Sequence, residues 1–185
     1  MTGQSISEEE SFLIQSHALL ECIARIGALQ MSNPEEFERV ESLAYGKTSK
    51  LIKSQDPDIS IFGGQGALLA CFYLFLVFPR ELQNRGDGEL SKIDMRAAEK
   101  IASDTITGVS TTYKRPLDTL VHFRNALSHG RINWEKCSGN LVISDRIPNT
   151  SEKFRGEFSM ENLGAIAQEL NLCIANYIGN VIARR

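Results

Sequence analysis

Residues 117–131 read LDTLVHFRNALSHGR and mark the point at which the chain changes from a helical to an extended pattern. Before Gly130 the apolar residues recur at helical spacing, and after it they alternate with polar ones. The pattern predicts a helix that starts at Arg115-Pro116 and ends at Gly130, because glycine readily adopts the left-handed conformation that stops a helix. Projected on that helix, one polar stripe contains Asp118, His122, Asn125 and His129. The apolar arc on the other side contains Leu117, Leu120, Phe123 and Leu127.

Arg124 falls within the apolar arc in this projection, so its guanidinium is expected to find an anionic or carbonyl partner. Arg124 and His129 are five residues apart, which separates them by about 140° around a continuous helix. The two side chains can therefore meet on one ligand only if the helix ends near His129 or if two copies of the chain come together. A helix that stops at Gly130 leaves His129 on the last turn, where the helix dipole favours its protonated form.

Arginine and histidine together form a chemically sensible pair for cleaving RNA without a metal ion. Histidine moves protons near neutral pH, and arginine binds a phosphate with two parallel hydrogen bonds. Asn125 is placed to orient the histidine or to bind phosphate. Four cations against Asp118 give residues 113–133 a local charge of about +3, although the whole chain is acidic. The candidate RNA-binding residues are Arg131, Lys114 and Arg115, the last two as solvated charges with a steering role at most.

A purely structural interpretation of the same residues stays open at this point. Arginine and histidine near a helix end also cap backbone carbonyls and pair with carboxylates. His122 is expected to be a packing or helix-surface residue, not a second catalytic base.

Composition bounds the class of protein. The chain has 185 residues, a net charge of -3 and 42% hydrophobic residues, which excludes wholesale disorder, collagen and a disulfide scaffold, and predicts one domain over 1–185. The first ten residues lack the pattern of a secretory signal, so a cytoplasmic protein with reduced thiols is expected. The four cysteines are too far apart for a zinc site, and no metal or cofactor is expected.

One uncharged stretch, residues 59–78, is long enough to cross a bilayer on a simple count. Its dense part, Ala67 to Phe78, is too short to do so as a helix, and a buried core or dimer-interface helix is expected instead of a membrane span. Because such a helix is apolar nearly all round, an apolar dimer interface of at least about 1,000 Å² is expected beside it.

The remaining pattern predicts an all-α bundle with a small β-hairpin insertion before the last helix. Helices are expected at 8–31 with Ser7 as N-cap, from Pro34 to about Lys53, from Gly64 or Gln65 to Leu76, from Ser91 to about Thr107, and after Ser159. Residues 108–113 are expected to be a polar link. The hairpin pairs Ile132 and Trp134 with Leu141 and Ile143, and a third short strand is expected at Phe154–Phe158.

Arg124-Asn125-Ala126-Leu127-Ser128-His129 resembles the Arg-x4-His signature of the HEPN superfamily, which often has Asn after the Arg. The motif lies, as in that superfamily, at the end of a helix with one more long helix to follow. The resemblance implies a homodimer with a composite cleft, and in many members a metal-independent endoribonuclease of toxin–antitoxin or defence systems. It also implies that Arg124 and His129 are catalytic and Asn125 supporting, and that any antitoxin or nucleotidyltransferase partner is a separate protein.

Two classes of function follow from the sequence. The leading prediction is a dimeric metal-independent endoribonuclease. The alternative is a non-catalytic RNA- or nucleotide-binding module, or a dimeric interaction protein, in which the same residues hold the fold or a ligand.

Overall fold

The computed structural model describes residues 6–46, 64–79 and 93–183. Its helices are α1 (Glu8–Ser32), α2 (Pro34–Tyr45), α3 (Gly64–Phe72), α4 (Arg96–Thr105), α5 (Thr119–Ser128) and α6 (Met160–Ala183), and a π-helical turn (Tyr73–Val77) continues α3. Its strands are β1 (Thr107–Thr111), β2 (Ile132–Trp134), β3 (Leu141–Arg146) and β4 (Lys153–Phe158). The prediction of an all-α bundle is therefore wrong in one respect. Helices predominate, but they pack with a four-stranded sheet that is larger than a hairpin.

The sheet is antiparallel with the strand order β1–β4–β3–β2. The predicted hairpin is confirmed, because Ile132 lies opposite Ile143 and Trp134 lies opposite Leu141. The predicted third strand is confirmed as β4, which pairs with β3 along its whole length.

β1 corrects the prediction of a polar link at 108–113. All five of its residues are exposed, so its sequence shows no alternation of buried and exposed positions from which a strand could be predicted. It forms because the free edge of β4 offers backbone hydrogen-bonding groups, and the register shifts between Thr107 and Ser110. β1 is thus a strand set by its neighbour and not by its own pattern.

The core lies between the inner face of the sheet and the helices α1 and α3 to α6. Phe123 of α5 lies at its centre, with its ring 4.6 Å from the ring of Phe72 and 5.4 Å from that of Phe158. The apolar stretch around α3 is core, as predicted, since Phe75, Leu76 and Val77 of the π-helical turn are buried. The fold therefore packs α5 against both a helix and a strand.

The helix starts show which predicted caps are used. Ser7 caps α1 in a reciprocal pair with Glu10, and Asn33 caps α2, as expected. α2 ends at Tyr45, earlier than predicted, and residues 47–53 lie outside the described residues. Residues 93–95 precede α4 in non-helical conformation, so its predicted start near Ser91 is wrong, and Ser91 itself is outside the described residues.

α5 starts at Thr119 and not at Arg115-Pro116, because a neighbouring helix caps it. The Glu99 side chain of α4 accepts hydrogen bonds from the backbone N–H groups of Thr119 and Leu120, each at 2.8 Å. Asp118 occupies the N-cap position without a side-chain cap bond. A carboxylate at the positive end of the α5 dipole is favourable, so α4 fixes where α5 begins.

α1 presents much of its apolar surface outward. Its Glu10–Ser32 stretch has the length and hydropathy needed to cross a membrane, a test that helices packed against protein also pass, and 11% of the window is buried. Phe12, Leu19 and Met31 are among its exposed side chains.

Candidate active site

The C-terminus of α5 places His129 where the sequence predicts. Gly130 has a φ of +61°, its N–H donates to the carbonyl of Leu127 at 3.1 Å, and the N–H of Arg131 donates to that of Ala126 at 2.8 Å. These two bonds form a Schellman ending, which stops the helix one residue after Ser128. His129 is the C-cap residue and its side chain is exposed. His129 therefore lies beyond the last helical residue, and its side chain is not confined to the polar stripe of α5 predicted from the sequence.

Arg124 is partly buried, which corrects its predicted place in the buried arc of α5. The arc that faces the core contains Leu120, Phe123 and Ala126, while Val121, Arg124 and Ser128 form a stripe on the more accessible side. Arg124 lines a cavity of about 620 Å³ between α4, α5 and the π-helical turn. One Nη atom of Arg124 donates to Oδ1 of Asn125 at 3.1 Å.

Asn125 is in turn fixed by a buried carboxylate on β3. Its Nδ2 donates to Oδ2 of Asp145 at 3.0 Å, and this assignment leaves Oδ1 facing the Arg124 guanidinium. The NH₂ group of the Asn125 amide therefore donates to Asp145 on the sheet, and its oxygen accepts from Arg124. The side chain is a bridge between the buried strand and the accessible stripe of α5.

Asp145 is the centre of a larger polar cluster. It is only 3% exposed, and its Oδ2 lies 2.9 Å from Nδ1 of His122 and accepts a hydrogen bond of 3.0 Å from the hydroxyl of Tyr113. The His122 ring stacks on Phe154 with 3.9 Å between centroids and meets the edge of Tyr113 at 4.7 Å. His122 is thus a buried packing residue, in agreement with the sequence interpretation. We call Tyr113, His122, Asn125 and Asp145 the Asp145 cluster.

The hydrogen bonds decide the charge of Asp145. Burial alone would raise the pKa of its carboxyl group, but bonds from His122, Asn125 and Tyr113 outweigh burial and hold the pKa below its ordinary value. Asp145 is therefore an anion at neutral pH, and Nδ1 of His122 carries the proton that faces it. Burial and the neighbouring Asp145 carboxylate raise the pKa of Tyr113 to about 12, so its hydroxyl stays a donor.

A family model described as HEPN pEK499 p136 matches residues 11–180. The chain belongs to this HEPN family. Neither a curated protein nor a solved structure gives a significant match. The family resemblance inferred from the sequence is confirmed, and membership indicates a function related to RNA cleavage or to nucleotides. The match covers the HEPN domain as a whole, so the roles of individual residues rest on the geometry.

The structure of the HEPN domain brings some of the predicted site residues together. Arg124 and Asn125 are hydrogen-bonded to each other, and Arg131 has its Nη1 atom 4.0 Å from Oδ1 of Asp145. Lys114 and Arg115 are exposed in the segment between β1 and α5. Within residues 6–46, 64–79 and 93–183, no group of three His, Cys, Asp or Glu side chains is arranged to hold a metal ion.

Sequence reasoning missed Asp145 and Tyr113. A signal for Asp145 exists in β3, where Leu141, Ile143 and Asp145 alternate with less buried residues and so share the inner face of the sheet. A carboxylate at an inward position must find donors in the core, because an unpaired buried charge is very costly. Tyr113 carries no comparable signal, since it follows a strand that the pattern does not reveal.

Proposed function

We propose that this HEPN domain is a metal-independent endoribonuclease in which Arg124 and His129 are catalytic and Asn125 supports Arg124. The observation that carries the proposal is the chain of contacts from buried Asp145 through Asn125 to Arg124, with an exposed histidine five residues further on at the C-terminus of the same helix. A preorganised cation and a group that can carry protons are the combination that phosphodiester cleavage requires.

The proposed reaction uses the ribose as its own nucleophile. His129 takes the proton of the 2′-OH, the 2′-oxygen attacks the adjacent phosphorus, and the P–O5′ bond breaks. The departing 5′-oxygen receives a proton from the protonated imidazole of a His129 side chain, so the products are a 2′,3′-cyclic phosphate and a 5′-OH end. Arg124 holds the non-bridging oxygens and stabilises the extra negative charge of the transition state.

We propose that two copies of the chain form the complete site. Arg124 lies on the accessible stripe of α5 and His129 follows at its C-terminus, so a second copy packed on that stripe would bring the two motifs face to face. Val121 is an apolar member of that stripe, and Leu117, which lies just before α5 and is 43% exposed, offers further apolar surface to bury. The exposed apolar residues of α1 offer further surface for the same dimer. Light scattering at low micromolar concentration tests this, and a stable monomer of 20.6 kDa would contradict it.

The biological setting is proposed on the family resemblance. The enzyme would act in the cytoplasm as a toxin or defence protein, with RNA as substrate and a separate antitoxin or nucleotidyltransferase as partner.

The direct test is RNA cleavage in the presence of EDTA. Wild type should release 5′-OH ends, His129→Ala should be inactive, and Arg124→Lys should lose at least about 100-fold in rate because lysine cannot form the bidentate contact. His17→Gln serves as the control, because it removes a histidine that lies on α1, far from His129 in the sequence. Equal residual cleavage by wild type and His129→Ala would contradict the catalytic role of His129. Salt-sensitive RNA binding without 5′-OH ends would instead identify the non-catalytic binding module.

A further inference from the structure

We propose that the outer face of the sheet, where β3 and β4 meet, binds the phosphodiester backbone of RNA. The inference rests on the proposed function for the identity of the polyanion, but its own support is the charge pattern of the sheet. Arg146 and Lys153 lie opposite each other at the end of the β3–β4 pair, and Arg155 lies opposite Ser144. Arg146, Lys153 and Arg155 are exposed. We call these three residues the sheet cations.

The sheet cations repel one another in the unbound protein. Like charges directly opposite on neighbouring strands are unfavourable, and the Arg146–Lys153 pair is of this kind. Arg155 has a carboxylate partner on the same face, Glu157 at 2.7 Å, but no ion pair involving Arg146 or Lys153 is found among the described residues. A phosphate between Arg146 and Lys153 would convert their repulsion into two attractive contacts.

A concave surface accompanies these charges. A cavity of about 360 Å³ is lined by all three sheet cations, by Arg131 and by the hydroxyl residues Ser110 and Ser144. Among the described residues that line it, Asp145 is the single acid, and its charge already faces His122. Several cations with neutral hydroxyl donors suit the non-bridging oxygens of phosphate groups.

Arg131 connects this surface to the candidate active site. Its Nη1 atom donates to the backbone carbonyl of Arg146 at 3.2 Å, which holds the guanidinium at the rim of the cavity. Arg131 also follows His129 by two residues, directly after the Schellman ending of α5. A single strand of RNA cleaved at His129 would therefore have its neighbouring phosphates within reach of Arg131 and then of the sheet cations. A binding surface that continues past the cleaved bond fits a polynucleotide better than a mononucleotide.

The test measures binding in a chain that cannot cleave, so that it is independent of catalysis. The His129→Ala variant is compared with the same variant carrying Arg146→Gln and Lys153→Gln, using fluorescence anisotropy of a labelled single-stranded RNA over a range of salt concentrations. The control carries Arg39→Gln and Lys100→Gln, which also remove one Arg and one Lys from exposed positions, on α2 and α4.

Loss of two phosphate contacts should lower the slope of log K against log salt by about 1.4 and weaken binding roughly 25-fold at 0.1 M salt. The control should match the parent, and the melting temperature of the double variant should not fall. Equal affinity and slope for the double variant and the control would overturn the proposal, even if wild type cleaves RNA. The expected loss would support it even if wild type does not cleave.

Competition separates the sources of phosphate. Inorganic phosphate or a mononucleotide should displace the RNA only at far higher concentration than an unlabelled oligonucleotide. If either displaces it equally well, the site takes a free phosphate group and the RNA assignment is wrong. Binding to anionic lipid vesicles that is lost in the double variant, with RNA binding unchanged, would also contradict it.

Discussion

Asn125 donates a 3.0 Å hydrogen bond to Asp145, which lies 20 residues further along the chain and on a different type of element. Through this bond a strand of the sheet determines which way the Asn125 amide faces. The amide oxygen is then available to Arg124 at 3.1 Å. Asp145 is accordingly a positioning residue for the proposed reaction, although it is buried and does not reach the accessible stripe of α5.

Asp145→Ala should both destabilise the protein and impair cleavage. It leaves the polar groups of Tyr113, His122 and Asn125 without their shared acceptor, so we expect a loss of about 3 kcal/mol or more in the free energy of unfolding. Denaturant unfolding measures this, and Asp104→Asn, which alters an exposed ion pair on α4, should stay within about 0.5 kcal/mol of wild type. A loss as small as that of the control would show that the cluster does not hold the fold.

Asp145→Asn keeps the shape of the side chain and tests positioning. We expect kcat to fall by about 100-fold while KM changes little, because the Arg124 side chain is displaced and not removed. The stabilising effect of the wild-type carboxylate is present above its ordinary pKa of 3.8 and is lost as the pH falls through its lower value in the folded protein. The stability difference between wild type and Asp145→Asn should therefore be constant at neutral pH and shrink only in strong acid.

Tyr113 should keep its proton until strongly alkaline pH. Its pKa is raised from 10.0 to about 12, so its hydrogen bond to Asp145 stabilises the fold fully below pH 10 and is lost as the pH approaches 12. Phenolate absorbance during an alkaline titration should show a late step near pH 12. Tyr113→Phe should remove that step, and Tyr73→Phe, which changes an exposed phenol, should leave it in place.

Gly130→Ala should destabilise the protein and displace His129. A residue with a side chain at a φ of +61° costs roughly 1–2 kcal/mol, and the space around Gly130 is open, so the cost is that of the backbone alone. Gly164→Ala, at an exposed position inside α6 with equally open space, should instead stabilise the protein by about 0.5–1 kcal/mol. The same sign of change at both positions in thermal unfolding would refute the argument.

Glu99→Gln should weaken the start of α5. A glutamine offers one acceptor oxygen where the carboxylate offers two, so either Thr119 or Leu120 loses its N–H partner at a helix N-terminus. We expect a loss of about 1–2 kcal/mol in unfolding experiments. Glu161→Gln, an exposed acid in the first turn of α6, is the matched control, and a comparable loss there would mean that only the dipole interaction matters.

The sequence predicts the parts of this site that depend on local chemistry. Gly130 predicts the end of α5, and the alternation from Ile132 to Ile143 predicts the hairpin. It places Arg124 within the buried arc, where the structure has it only partly buried, because an apolar arc chosen by residue type includes Leu117 and misses His122. The structure buries the imidazole instead, since Asp145 and Tyr113 provide its polar partners.

Long-range contacts account for the rest of the difference. Glu99 fixes the start of α5 from another helix, and the edge of β4 induces β1 from residues with no strand pattern of their own. Such pairings depend on which elements become neighbours, and no window of consecutive residues contains that information.

The bond between Asn125 and Asp145 also has a consequence for the proposed reaction during synthesis of the chain. Asp145 leaves the ribosome after the whole of α5, and it faces Asn125 only once β3 has paired with its neighbours. A nascent chain that already contains Arg124 and His129 therefore has these side chains before Asp145 can orient Asn125 toward Arg124. The alignment that the proposed reaction needs therefore arises only when the sheet folds, so a partly folded chain should cleave RNA poorly.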